Sequence, residues 1–178
     1  MSKLETNTID NISGSSTLTI GDSNTSTIAL KSGATLTNFP ANTPAFFSYA
    51  SASQSYSTSN TKIQLNTESF DTNSNFDTSN YRFTPTTAGK YFIYGQIFII
   101  GPANFYGNAL IYKNGGSEVW QGSNNSSTNA DFSIQVSAIV SMNGSSDYVE
   151  LYGRNNSSHS TQQGSQFTYM TGYKLIGA

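Results

Sequence analysis

Apolar and polar residues alternate along much of the chain, most regularly between residues 132 and 141. Apolar side chains take every second position there (Phe132, Ile134, Val136, Ala138 and Val140), and the intervening residues are polar except Ile139. This period of two is typical of a strand with one face in a core. The same alternation recurs at residues 147–153 and 166–176, and no stretch of ten or more residues has apolar positions at helical spacing. The pattern predicts an all-β protein.

The segment Lys90–Ile100 is apolar on both faces of its predicted strand. One face carries Tyr91, Ile93, Ile97 and Ile99, and the other carries Phe92, Tyr94, Phe98 and Ile100. A strand with one face in water would not carry apolar residues on both. Either a loop covers the second face, or a neighbouring subunit buries it, and we favour the subunit. The predicted subunit interface comprises Phe92, Tyr94, Phe98, Ile100, Tyr148 and Tyr152.

Turn residues separate the predicted strands. Asn114-Gly115 follows an apolar run and suits a tight hairpin, and Asn143-Gly144 ends the strand that starts near Phe132. Clusters of Ser, Asn and Thr at 123–129 and 155–165 are predicted to be exposed loops. Short strands separated by such turns favour a β-sandwich.

Residues 1–43 have a different pattern, because short apolar pairs recur about every 8–10 residues and aromatic residues are missing before Phe39. Such thin segments cannot bury their apolar side chains alone. We expect a trimeric stalk or an attachment arm that becomes ordered on a partner, with disorder as the alternative. The predicted boundary gives a stalk or arm at 1–43 and a globular head at 44–178.

A set of residues at fixed spacing in the region 65–95 resembles the signature of the complement C1q globular-head family. The matching positions are Asp71, Phe76, Phe83, Gly89 and Tyr91, and the departures are Leu65, Ile93 and Gly95. Shorter matches occur at residues 45–46, 112–115, 147–151 and 171–175. The resemblance implies a ten-stranded C1q/TNF-like jelly-roll β-sandwich. It also implies a threefold homotrimer with an interface formed by inner-sheet residues.

Charge and composition exclude several classes of partner. Charged residues are 10% of the chain, the net charge is −2, and the eight basic residues are scattered, which argues against nucleic acid. No apolar run approaches the roughly 20 residues that a membrane span needs, so no membrane insertion is expected. No cysteine is present, and the polar residues after Met1 do not resemble a signal peptide.

The sequence offers little for catalysis or metal binding, and we predict no enzyme activity, no cofactor and no metal. His159 is the single histidine and lies in a polar segment, where an exposed loop residue is expected. Asp71 and Asp77 are expected to cap turns rather than to act as paired catalytic carboxylates. Calcium binding would require Asp131 or Asp147 of three chains to meet on a threefold axis.

Ligand recognition is the more plausible chemistry, with glycans as the expected ligands. Trp120 precedes a Ser/Asn-rich segment, and an aromatic face beside amide groups suits sugars, although packing in the core or in an interface is the alternative. The candidate ligand-binding residues are Trp120, Tyr106, Asn124, Asn125, Asn155, Asn156 and His159.

These features favour a non-enzymatic bacteriophage virion protein: a trimeric tail fibre, spike or capsid-decorating knob. Its head would be displayed on the particle and could bind a host-surface glycan or receptor, while residues 1–43 would attach to other virion proteins. The alternative is a secreted, extracellular C1q-domain recognition or adhesion protein of lectin type. An enzyme such as a polysaccharide depolymerase is the third hypothesis.

Overall fold

The computed structural model describes residues 32, 42–100, 103–128 and 131–177, except for the side chains of residues 117–120. Residues 40–178 form one compact unit. The predicted stalk or arm at 1–43 lies almost entirely outside the described residues and stays a prediction.

Strands account for all the regular structure in the described residues. The strands are β1 (Ala45–Tyr49), β2 (Ser55–Tyr56), β3 (Thr61–Lys62), β4 (Thr67–Asp71), β5 (Phe76–Asp77), β6 (Arg82–Phe83), β7 (Gly89–Ile99), β8 (Phe105–Lys113), β9 (Ser117–Ser126), β10 (Phe132–Met142), β11 (Val149–Asn155), β12 (His159–Ser160) and β13 (Tyr169–Lys174). Among the described residues there is no helix with the length and apolarity that crossing a membrane requires.

The strands form two antiparallel sheets that pack as a sandwich. The first sheet has the order β10-β7-β13-β1-β4. The second has the order β5-β6-β11-β8-β9, with β3 also beside β11, and β12 pairs separately with β2. This arrangement confirms the predicted all-β jelly-roll sandwich.

Aromatic side chains fill the space between the two sheets. The ring of Phe46 in β1 stacks on Phe83 at a centroid distance of 4.2 Å and on Phe76 at 5.2 Å. Phe83 in turn meets Tyr91 edge-on at 5.6 Å. All four side chains are buried, so the first and second sheets share one core.

The predicted alternation in the longest strands is confirmed. In β10 the side chains of Ile134, Val136, Ala138 and Val140 are buried and the residues between them are exposed. In β7 the face with Tyr91, Ile93, Ile97 and Ile99 is fully buried in the core.

The predicted hairpin at Asn114-Gly115 joins β8 to β9. Both residues have positive φ angles, 57° and 64°, which tight hairpin turns need and which glycine adopts at little cost. The predicted exposed loop at 123–129 is partly wrong, because β9 continues to Ser126 by pairing with Phe105 of β8.

Candidate functional site

The outer face of the first sheet is covered with aromatic side chains, and we call it the aromatic face. It comprises Phe47, Phe70, Phe92, Tyr94, Phe98, Tyr169 and Tyr173, from strands β1, β4, β7 and β13. Neighbouring rings are in contact across the strands, since Phe47 stacks on Tyr169 at 4.9 Å and Phe92 lies 5.6 Å from Tyr173. Aromatic rings therefore cover much of this side of the sandwich.

Part of the aromatic face is open to water in the single chain. Phe70 is 49% exposed and Tyr173 is 39% exposed. Ile139, which interrupts the polar face of β10, lies opposite Phe92 in the pairing of β10 with β7 and is 55% exposed. Contiguous exposed apolar surface of this kind typically marks a contact with another molecule.

A loop of the same chain shields the end of β7. Phe167 packs on Phe98 at 5.0 Å, and the backbone N–H of Phe98 donates to the Thr168 hydroxyl at 3.2 Å. The sequence left open whether a loop or a neighbouring subunit covers the second face of this strand. At Phe98 a loop of the same chain does so. It does not account for Phe92, which is packed beside Tyr173 of β13.

Polar groups are embedded in the aromatic face around Gln96. The Gln96 amide donates to the Phe167 carbonyl at 3.0 Å, and its oxygen accepts from Gln135 at 3.1 Å. The Tyr94 hydroxyl donates to the same oxygen at 3.3 Å. Burial, together with the adjacent Tyr169, raises the pKa of Tyr94 to about 12, so its hydroxyl stays a neutral donor near neutral pH.

The residues of the predicted subunit interface do not share one face, which corrects the expectation. Phe92, Tyr94 and Phe98 lie on the aromatic face, and Ile100 follows the end of β7 and is exposed. Tyr152 belongs to β11 in the second sheet, where it pairs with β8, and Tyr148 lies directly before that strand. The alternation of residues 147–153 was correct, but it could not show which sheet the strand enters.

The outer face of the second sheet carries a hydrogen-bonded group that we call the Arg154 cluster: Tyr106, Asn108, Ser123 and Arg154. The Asn108 amide donates to the Ser123 hydroxyl at 2.7 Å and to the Tyr106 hydroxyl at 3.1 Å. Its oxygen accepts from Arg154, with Nη2 at 3.2 Å and Nε at 3.4 Å. Strands β11, β8 and β9 bring these residues together, because Asn108 pairs with Arg154 on one side and with Ser123 on the other.

Four predicted ligand-binding residues lie around the start of β8. Asn156 donates its backbone N–H to the Tyr106 carbonyl at 2.9 Å, and its side-chain oxygen accepts from the Tyr106 N–H at 3.2 Å. Asn125 pairs with Tyr106 across β8 and β9, and the neighbouring Asn124 donates its amide to the Ser133 carbonyl at 2.9 Å. The structure thus places Tyr106, Asn124, Asn125 and Asn156 at one end of the second sheet.

Of the remaining candidates, Asn155 and His159 are engaged in contacts within the chain. Asn155 is buried, and its side-chain amide donates to the Tyr56 carbonyl at 3.5 Å, so it does not face water in the single chain. His159 packs its ring edge-on against Phe105 at 5.1 Å and lies 2.8 Å from the Ser157 hydroxyl. Trp120 of β9 lies opposite Ile111 of β8, and the side chain of Trp120 is not among those that the structure describes.

Asp71, Asp77 and Asp147, three of the aspartates that could suggest catalysis or metal binding, accept hydrogen bonds in or beside turns. Asp71 accepts from the backbone N–H of Phe76 at 2.6 Å, and Asp77 accepts from Ser79 and Asn80. Hydrogen bonds from Asn80 lower the pKa of Asp77, as expected for a capping carboxylate. Asp147 accepts from Lys113 and Asn114. No group of three or more metal-ligating side chains occurs in the described part of the chain.

Sequence comparison and structure comparison give different results. No protein-family model matches the sequence, and no curated protein sequence matches it either. Solved structures match well. The Eiger TNF from S. frugiperda aligns with a TM-score of 0.60 at 12% identity, covering 75% of this chain and 93% of that chain.

A complement globular domain matches to the same extent. The globular domain of the zebrafish complement 1qA protein aligns with a TM-score of 0.59 at 12% identity, covering 75% of this chain and 97% of that one. The fold is that of the C1q and TNF globular domains. Murine APRIL is also similar, with a TM-score of 0.60, 11% identity and coverage of 74% and 98%. The C1q/TNF-like fold is shared with these structures at only 11–12% sequence identity.

Proposed function

We propose that the chain is a non-enzymatic recognition head that works as a homotrimer, with the aromatic face buried between its three copies. The main observation in support of this proposal is the exposed aromatic surface of the first sheet, which includes Tyr173 and Phe70. Burial of apolar area contributes roughly 25 cal/mol per Å², so covering several rings in three copies gives a strong drive to associate. The resemblance to C1q-type heads supports three copies rather than two.

Association would leave the second sheet available for ligands. The aromatic face and the Arg154 cluster lie on the outer faces of different sheets, so copies joined through the first leave the second exposed. The loops near Tyr106 and Asn156 would then be repeated three times around the assembly. Such repetition raises binding strength through avidity without any new contact.

Light scattering of the purified full chain tests the assembly. We expect a mass of three chains, and we expect Tyr94→Asp to give single chains, because an unpaired buried charge costs several kcal/mol. Tyr106→Asp is the matched control, since this tyrosine lies on the second sheet, and it should leave the mass unchanged. A wild-type mass of one chain at micromolar concentration would refute the trimer. Unchanged association of Tyr94→Asp would place the interface elsewhere.

We propose that this head acts outside the cell as a recognition or adhesion protein of lectin type. The similar folds are those of a TNF, a complement 1qA protein and APRIL, which supports recognition by a globular head over a purely structural role. Reproducible binding of the isolated chain on a glycan array would support the lectin assignment. Measurable cleavage of a polysaccharide would contradict the non-enzymatic part of the proposal.

A bacteriophage fibre, spike or capsid decoration is the second candidate. It is favoured by the sequence of residues 1–43, whose short apolar pairs separated by Ser, Thr and Gly suit a trimeric stalk or attachment arm. Mass spectrometry of purified virus particles separates the two settings. Detection of the chain in the particles would support the virion role, and its absence would leave the extracellular protein.

A further inference from the structure

We propose that the Arg154 cluster binds sugars that carry a carboxylate, such as uronic or sialic acids. The inference rests on the proposed recognition function and names a ligand class and a site for it. The site lies on the outer face of the second sheet, across strands β11, β8 and β9.

Asn108 fixes the geometry of the cluster. It is fully buried although it lies on the outer face, and its side chain uses both the amide hydrogens and the oxygen in hydrogen bonds. The Arg154 guanidinium is therefore positioned through Nε and Nη2 by a neutral acceptor. A site held in place before binding loses less conformational entropy when the ligand arrives.

Arg154 keeps its positive charge available because its partner is an amide. In the described part of the chain only two ion pairs within 4.0 Å occur, Lys62 with Glu150 and Lys113 with Asp147, and neither includes Arg154. A guanidinium presents five N–H donors in a planar fork that matches a carboxylate. The two bonds to Asn108 leave further donors for such a ligand.

Tyr106 supplies an aromatic surface beside the guanidinium. It is 45% exposed and lies two residues from Asn108 on the same face of β8, which places the two Cα atoms about 7 Å apart. Hydrogen bonds from Asn108 and Ser123 lower the pKa of the Tyr106 hydroxyl, and the charge of Arg154 acts in the same direction. A sugar ring could stack on Tyr106 while its carboxylate reaches Arg154.

Exposed polar side chains on β9 complete the site. Ser123 and Gln121 are exposed on the strand beside Asn108, and Gln121 donates to the Ser123 hydroxyl at 3.1 Å. Hydroxyl and amide groups can both donate to and accept from sugar hydroxyls.

The other tyrosines in or beside the strands of this sheet are poorer candidates. Tyr112 and Tyr152 stack on each other with centroids 4.2 Å apart, so each ring already has one face covered. The guanidinium of Arg82 lies 4.6 Å from the ring centre of Tyr148. Both the aromatic faces and the cation are therefore engaged within the protein, which favours Tyr106 and Arg154 as the binding pair.

The test uses the full chain and three immobilised acidic glycans, oligomers of glucuronic, galacturonic and N-acetylneuraminic acid, each beside its carboxyl-reduced form. We expect at least one acidic glycan to bind ten or more times more tightly than its reduced form. Arg154→Gln should abolish the preference for the acidic glycan. Tyr106→Ala should weaken binding of that glycan at least tenfold, whereas Tyr106→Phe should leave its affinity unchanged. Arg82→Gln is the matched control, because it removes a cation elsewhere on the same sheet.

The outcomes separate this site from the proposed assembly. The inference would be overturned if each acidic glycan bound no more tightly than its own reduced form. It would also be overturned if a preference for the acidic form survived Arg154→Gln. Failure of all three acidic glycans to bind would also overturn the carboxylate assignment. Light scattering and circular dichroism on each variant would show whether the trimer and the fold persist, so loss of the site is distinguishable from loss of the assembly.

Discussion

Two residues, Lys62 and Glu150, show how this chain places a charge inside the protein. The Glu150 side chain is only 2% exposed, and its carboxylate accepts from Lys62 Nζ at 2.6 Å and from the Tyr152 hydroxyl at 3.4 Å. Removing a charge from water is costly unless a partner compensates it. Lys62 provides that compensation although its own side chain is 33% exposed.

Replacing Lys62 by methionine should therefore destabilise the fold. We expect a loss of about 1–2 kcal/mol in the free energy of unfolding, less than for a fully buried pair because water screens the exposed ammonium group. Adding Glu150→Gln to the same chain should restore part of the loss, since no buried charge then remains. Urea unfolding measures both variants.

Lys113→Met is the control for this prediction. Its partner Asp147 is 14% exposed and also accepts from Asn114 and from the Asn143 N–H, so the carboxylate is not left alone. Its loss of stability should be smaller. Equal losses for Lys62→Met and Lys113→Met would show that burial of Glu150 is not the cause.

At the scale of elements, the two sheets approach each other closely where β9 lies over β10. A Cβ atom on Gly122 of β9 would lie 1.7 Å from the carbonyl oxygen of Gln135 in β10, closer than any real contact. The close approach therefore needs a residue without a side chain. This requirement comes from packing between strands of different sheets, since Gly122 carries no positive φ.

Gly122→Ala should force these two strands apart. Overpacking of a well-packed core costs about 1–3 kcal/mol and occasionally more, and a contact with backbone atoms places this change at the upper end. We expect a clear drop in the melting temperature or a loss of soluble protein. Gly116→Ala is the matched control, since a Cβ there meets only the Asn114 carbonyl at 3.8 Å. Similar melting temperatures for the two variants would contradict the predicted clash.

At the scale of the whole molecule, the sandwich has two outer faces of different character. The first sheet exposes aromatic side chains, whereas the second exposes tyrosine together with amide, hydroxyl and guanidinium groups. Apolar burial favours association through the first face, and directional hydrogen bonds suit ligand recognition on the second.

Association of folded chains should make the melting temperature depend on protein concentration, because assembly stabilises only the folded state. We expect the wild-type melting temperature to rise with concentration. Tyr173→Asp should remove this dependence, because it places a charge on an exposed position of the aromatic face with little effect on the fold of one chain. Scanning fluorimetry across a wide concentration range provides the measurement. A wild-type melting temperature that does not change with protein concentration would contradict the assembly.

Much of the fold could be predicted because its signals are local. The alternation in β10 and β11 and the Asn114-Gly115 hairpin depend on neighbours in sequence. Three of the residues that match the C1q signature, Phe76, Phe83 and Tyr91, are buried in the core.

The candidate site was less predictable. The sequence drew attention to Tyr106, Asn125 and Asn156, which the structure places together, but it missed Asn108 and Arg154. A period of two puts Arg154 on the same face as Tyr152, and this was the one available signal. Its contact with Asn108 spans 46 positions in the chain and depends on the register between β11 and β8.

The sequence by itself determined that β10 and β11 are strands and which of their residues share a face, because alternation and turn chemistry act between near neighbours. Only the tertiary structure decided which strands pair and which sheet each strand joins. It placed Tyr152 on the second sheet, away from Tyr94, and brought Arg154 to Asn108. Those choices depend on burial shared among strands far apart in the chain, which no local pattern contains.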